Sequence, residues 1–219
     1  ALIPFDPEAG RSLLEKAFKS FQSRRDPAGL FISWSGVVKA IFLKMTDLSP
    51  FDHWIQVLEE LMAEYRQFPT KEIEGHVVVG MLMILWHRQL HHPNIKFWID
   101  QALSLLSSPL DLNIKVSLIN NAAPYFLLTG NYSKAAQLMD LLGASALSGL
   151  VEPKGTIVKV AFSTISSHYY CYLGMHAKCL ETVSKGLEIA KETGFLILNN
   201  VIAGYGIWSA LIHEEYATT

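Results

Sequence analysis

Two stretches decide the fold, Gly130-Asn131-Tyr132-Ser133-Lys134-Ala135 and Gly174-Met175-His176-Ala177-Lys178-Cys179, which lie 44 residues apart and share one pattern. Each has a glycine, a ring two residues later and a small side chain five residues later. A glycine after a helix adopts the left-handed conformation that turns the chain back. The ring then wedges into the corner, and the small side chain lets two helices approach closely. The pattern predicts a helical hairpin used at least twice, the mark of a repeat architecture.

A related arrangement lies upstream, again 44 residues apart: His53-Trp54-Ile55 after Pro50 and Phe97-Trp98-Ile99 after Pro93, with tryptophan in place of the small residue. Helix starts recur as a capping residue followed by proline, whose missing N–H costs nothing in a first turn: Asp6-Pro7, Asp26-Pro27, Ser49-Pro50 and His92-Pro93. Thr70 and Asp111 add further caps, and Gly130, Gly174 and Gly194 mark helix ends. Between these marks apolar residues follow the helical period, as in Phe51, Trp54, Ile55, Leu58, Leu61, Met62 and Tyr65. Helices are expected at 7–24, 27–45, 50–68, 70–90, 93–107, 111–129, 131–142, 153–173, 175–193 and 195–215. The fold class is therefore all-α, an α-α superhelix of about ten antiparallel helices. Residues 1–219 read as a single helical-repeat domain, with one long connection at 143–152 that has room for a short extra turn. The termini read as those of a piece cut from a longer polypeptide.

Composition narrows the function. Half of the residues are apolar, 17% are charged and the net charge is −2, so the chain can bury a core but offers no basic stripe to displace counterions from nucleic acid. The longest apolar run, 77–86, is about half of the ~20 residues that a spanning helix requires. The two cysteines do not suggest a disulfide framework, and no secretory leader is evident, so a cytoplasmic location is expected.

The glycine, aromatic and small-residue spacing resembles the turn between the two helices of a tetratricopeptide repeat. In that register Ala123 takes the small-residue position of the first helix, with Ile119 and Phe126 at core positions; the equivalents before Gly174 are Ser167, Ser163 and Tyr170. Residues 42–106 are similar to the helical repeat region of MalT-like bacterial regulators. The resemblance is carried by Asp47-Leu48-Ser49-Pro50-Phe51-Asp52-His53-Trp54-Ile55, Phe68-Pro69, Glu72-Ile73-Glu74 and His92-Pro93 before Phe97-Trp98. It implies a sensor or scaffold portion that receives a small-molecule inducer or a regulatory protein and packs against other domains of the same polypeptide. The phosphate loop and DNA-reading helix of such regulators are not present in this stretch.

Candidate chemistry is sparse. His87 and His91 share a helical face and His92 follows, but the intervening glutamate of a zinc protease is missing and helix-end histidines are favoured by the macrodipole. Cys171 and Cys179 straddle the Gly174 corner and read as small buried hydrophobes. The acid pairs Glu59-Glu60, Glu72 with Glu74, and Glu214-Glu215 read as solvated faces. Tyr169, Tyr170, Tyr172, Trp54, Trp86 and Trp98 read as packing. Polar residues set within apolar helices carry the binding expectation: Asn120, Asn121, Thr164, His168, Asn199 and Asn200, assigned to the concave face. Amides and hydroxyls there would hold a peptide backbone or a polar small molecule. The expected function is a non-catalytic sensor or scaffold domain of a bacterial transcriptional regulator, with no cofactor and no metal. The rival reading is a stand-alone adaptor that binds a peptide, and a helical enzyme comes third.

Overall fold

Aspartate and proline start the first two helices as predicted. Asp6 accepts from the Ala9 N–H and Asp26 from the Gly29 N–H, with Pro7 and Pro27 in the first turns. The computed structural model describes residues 3, 6–147, 156–194 and 198–213. They form ten helices and no strand: α1 (Pro7–Arg24), α2 (Pro27–Lys44), α3 (Pro50–Glu64), α4 (Lys71–Arg88), α5 (Ile95–Leu106), α6 (Leu112–Leu128), α7 (Tyr132–Leu147), α8 (Thr156–Tyr172), α9 (His176–Thr193) and α10 (Asn199–Ile212).

Several boundaries differ from the sequence expectation for local reasons. The helix expected at 50–68 stops at Glu64, where Tyr65 turns to extended backbone with φ −111° and ψ 95°. The Phe68 ring instead packs edge-on to Phe31 at 5.0 Å between centroids. The helix expected at 93 begins at Ile95, because Pro93 sits inside a turn in which His92 O accepts from the Ile95 N–H. Ser49 does not cap α3 with its side chain; its N–H and hydroxyl both donate to Asp47. α7 runs past Gly143 to Leu147, so part of the expected connection is helix. The remainder, and the ends of the last expected helix at 195–197 and 214–215, lie outside the described residues.

The chain divides into two compact units, Ala1–Asn121 and Ala122–Thr219, with the division inside α6. In the first unit α2 is the centre, packed against α1, α3 and α4. Its side chains Phe31, Trp34, Val37 and Val38 are fully buried. Trp34 ties the layers together. Its indole N–H donates to Trp54 O on α3 at 2.7 Å, and its ring occupies the space beside Gly80 of α4, where a Cβ would fall 2.8 Å from it. Asp52 on α3 takes both the Arg88 guanidinium and the Gln89 amide from the end of α4, which fixes the entry of the first helix relative to the exit of the second.

In the second unit α8, α9 and α10 each contact the other two. The Gly174 corner between α8 and α9 is left-handed, with φ +65°, and the N–H groups of Gly174 and Met175 return to Cys171 O and Tyr170 O. The Gly130 corner between α6 and α7 repeats this arrangement, with Gly130 and Asn131 returning to Leu127 O and Phe126 O. Both corners are the glycine-terminated motif that the repeated sequence pattern predicted. Beyond the corner, Cys179 occupies the small-residue position and is fully buried. Gly186 brings α9 so close to α8 that a Cβ there would lie 2.7 Å from Ser163 Cβ.

Two glycine substitutions separate close packing from helix propensity. Gly186→Ala is expected to destabilise by about 1–3 kcal/mol, because its Cβ meets another Cβ and only a backbone shift relieves the clash. Gly204→Ala, which meets nothing within 4 Å, is expected to stabilise by about 0.5–1 kcal/mol through the unfolded chain. Denaturant titration of each variant against the unsubstituted protein, followed by far-ultraviolet circular dichroism, reads both changes.

Candidate interaction surface on the last helix

Between its cap and its end, α10 holds no charged residue: Asn-Asn-Val-Ile-Ala-Gly-Tyr-Gly-Ile-Trp-Ser-Ala-Leu-Ile. One side of it is spent on packing. Ile202, Gly206, Ser209 and Ala210 are buried against the rest of the unit, with Val183 of α9 over Gly206. The other side is exposed although it is apolar. Ile207 is 46% exposed, Trp208 50%, Leu211 50% and Ile212 58%. Gly204 lies one turn before Trp208 on that side.

Rings back this face from α8. His168 stacks on Tyr205 with centroids 4.6 Å apart and planes 12° from parallel. Tyr172 meets His168 edge-on at 4.8 Å, and Trp208 meets Tyr172 at 5.8 Å. The result is a ladder of four rings, Tyr205, His168, Tyr172 and Trp208 in order, ending at the half-exposed indole. Burial pushes the His168 imidazole down to about 4 and the Tyr205 hydroxyl up to about 12. Both rings are therefore neutral near pH 7, and the ladder adds no charge to the face.

Near the end of the helix His176 Nδ1 lies 3.0 Å from Ser209 Oγ, and the His176 and His213 rings are 4.6 Å apart. Ser209 is only 3% exposed, so its hydroxyl serves as a tie between α9 and α10. The Cys179 thiol donates to Ser167 O at 3.4 Å, and burial pushes the Cys171 thiol up to about 11. Thiols in that state are poor nucleophiles, in keeping with packing cysteines. Among the described residues, no three His, Cys, Asp or Glu side chains are grouped to hold a metal ion. His87 Nδ1 lies instead against Met83 O of its own helix, 2.8 Å away. No helix of the described residues is long and apolar enough to cross a membrane.

The six residues expected to line a groove are distributed between the units. Asn120 and Asn121 belong to the first; Asn121 is buried, its side-chain amide donates to Ser117 O, and its backbone carbonyl accepts the Trp86 indole N–H at 2.7 Å. In the second unit Thr164 is buried and donates to Val160 O of its own helix. His168 joins the ring ladder. Asn199, at the start of α10, has a buried side-chain oxygen without a donor among the described residues, whereas Asn200 is exposed. Comparison with known proteins returns no match. No family model, no curated protein and no solved structure matches the chain. The residues that form the face, Gly204, Tyr205, Ile207, Trp208, Leu211 and Ile212, were not selected by sequence reasoning, which followed polar side chains. The signal available was the run of fourteen residues without charge.

Acid sensitivity of the ladder follows from the imidazole. Unfolded, His168 binds a proton near pH 6.5; folded, it resists until about pH 4. The unfolded chain thus holds more protons in that window, and the contribution of His168, fully present above pH 6.5, is lost as pH falls towards 4. That contribution is on the order of 3 kcal/mol at most. His168→Phe is expected to lose thermal stability less steeply with acid than the unsubstituted protein between pH 6.5 and 4, as read from melting midpoints by circular dichroism. Equal slopes for the two proteins would remove His168 from the account.

Proposed function

We propose that this chain works by binding and not by catalysis, as a helical-repeat sensor or scaffold whose α10 face receives a ligand or a protein. One observation carries the reading: a charge-free, half-exposed apolar helix face backed by a neutral ring ladder. Single exposed apolar residues are ordinary on a protein surface, but four on one face of a short helix, with tryptophan among them, form a patch of the kind used for recognition. The two glycine-cornered hairpins support a tetratricopeptide-like superhelix as the frame. On that reading the chain is the inducer- or protein-sensing portion of a cytoplasmic MalT-like transcriptional regulator. Binding to α10 would alter how the repeats pack against the other domains of the polypeptide.

The test titrates small polar effectors and amphipathic helical peptides into the protein. Calorimetry measures affinity, and iodide quenching reports shielding of Trp208. A ligand that shields Trp208 and loses about tenfold or more in affinity on Trp208→Ala, with an unchanged unfolding midpoint, supports the face as the binding surface. A ligand held equally well by Trp208→Ala and Tyr172→Ala binds elsewhere and overturns the assignment.

A further inference from the structure

Of the lysines and arginines on α2 and α4, all but one face a carboxylate. Lys44 pairs with Glu8, Lys71 with Glu74 and Arg88 with Asp52. Lys39, inside α2, has no hydrogen bond or ion pair among the described residues. It is exposed, yet the protein around it takes water from the ammonium and lowers its pKa. His76 of α4 shows the same combination: it is exposed, and its pKa is lowered first by burial and then by the Lys39 charge. Side chains that solvent reaches but hydrates poorly line a concave surface. Asp111, the carboxylate that acts on His76, already accepts from the N–H and the side-chain amide of Asn113.

Beyond this pair the surface is apolar. α2 and α4 run in the same direction, since Trp34 lies against Gly80 and Phe42, two turns later, against His87, also two turns later. Phe42 follows Lys39 by one turn on the same face. Val79, Met83 and His87 follow His76 at one, two and three turns, the last about 16 Å along the axis. Phe42, Val79 and Met83 are half-buried, and the Phe42 and His87 rings are 4.8 Å apart. No Lys, Arg, Asp or Glu interrupts α4 between Gly75 and His87, or α2 between Pro27 and Val38.

We propose that the face shared by α2 and α4 binds a small organic acid with one carboxylate and a medium-length apolar tail. The carboxylate sits between Lys39 and His76, and the tail runs along Val79 and Met83 towards Phe42 and His87. Charge selects the head group. A carboxylate gives Lys39 the counter-charge that the other cations of these two helices already have, in a setting where poor hydration strengthens the pair. A wholly apolar ligand would cover the ammonium and leave it unpaired, which is costly. A phosphate monoester carries nearly two charges against one lysine. The backbone N–H groups that cradle phosphates at helix starts are engaged within the helices at Lys39 and His76. His76, neutral near pH 7, supplies one further N–H donor. The site lies in the first unit and shares no residue with α10, so it stands or falls independently of that face.

The experiment is calorimetric titration of the full chain at pH 7 with octanoate, with octanamide as its uncharged counterpart, and with inorganic phosphate. Octanoate is expected to bind saturably at one site per chain, octanamide about tenfold or more weakly, and phosphate not measurably. Lys39→Gln is expected to lose about tenfold or more in octanoate affinity, and Lys39→Arg to stay within about threefold of the unsubstituted protein. Lys16→Gln removes the same charge from an exposed lysine of α1 and is expected to change nothing. Because Lys39 and Lys16 are both exposed, melting midpoints by circular dichroism are expected to stay in place, which separates lost binding from lost folding. Octanoate held equally by Lys39→Gln, octanamide bound as tightly as octanoate, or no saturable binding of octanoate overturns the site. Octanoate affinity that falls on Trp208→Ala and survives Lys39→Gln assigns the acid to α10, overturns the Lys39 site and leaves the α10 reading standing.

Discussion

Two helices approach closely only where one of them gives up a side chain, and this constraint organises both units. In the first unit the exchange is between Trp34 and Gly80: the indole fills the space a Cβ would take and then reaches Trp54 O with its N–H. A large ring is tolerated at the centre because its polar atom is satisfied by backbone from a third helix, which avoids the penalty of a buried unpaired donor. In the second unit the exchange is smaller, Ser163 against Gly186 and Val183 against Gly206, so α8, α9 and α10 lie close with little bulk between them. Small residues along α8, with Ser163, Ser166 and Ser167 all buried, follow from the same constraint.

Close packing by small residues leaves the second unit with few large apolar groups inside, and its rings take up the work at the edge. His168, Tyr172, Tyr205 and Trp208 stack from interior to surface. An imidazole in this position contributes only while neutral, and its burial keeps it so down to about pH 4. The rings link the exposed indole to the interior of the unit, Trp208 touching Tyr172 and Tyr172 touching His168.

The sequence revealed most where chemistry is local. Asp6 and Asp26 with their prolines, Thr70 as a cap and the left-handed Gly130, Gly174 and Gly194 were all legible, because each depends on a few neighbouring residues. Arg25 and Met45 were not. Both end helices in the left-handed conformation with φ of 52° and 51°, where no glycine advertises it, and the strain is held by the surrounding turn. The candidate surface was missed for a different reason. Asn121 and Thr164 stood out as polar residues among apolar ones, yet each satisfies a hydrogen bond inside its own helix. Whether a polar residue faces a ligand or its own backbone is settled by the neighbouring turn, which periodicity does not report.

The same reasoning turned round explains why α10 matters. A buried helix is apolar all round, as α2 nearly is, whereas a surface helix carries charge on its outer side, as α9 does with Glu181, Lys185 and Glu188 exposed. α10 has the composition of the first kind and the exposure of the second: Ile207, Trp208, Leu211 and Ile212 stand about half in water on a helix without a single charge. At about 25 cal/mol per Å² of apolar surface, leaving such a face wet forgoes a substantial share of a small unit's margin of stability. Composition and exposure are reconciled when a binding partner covers the face.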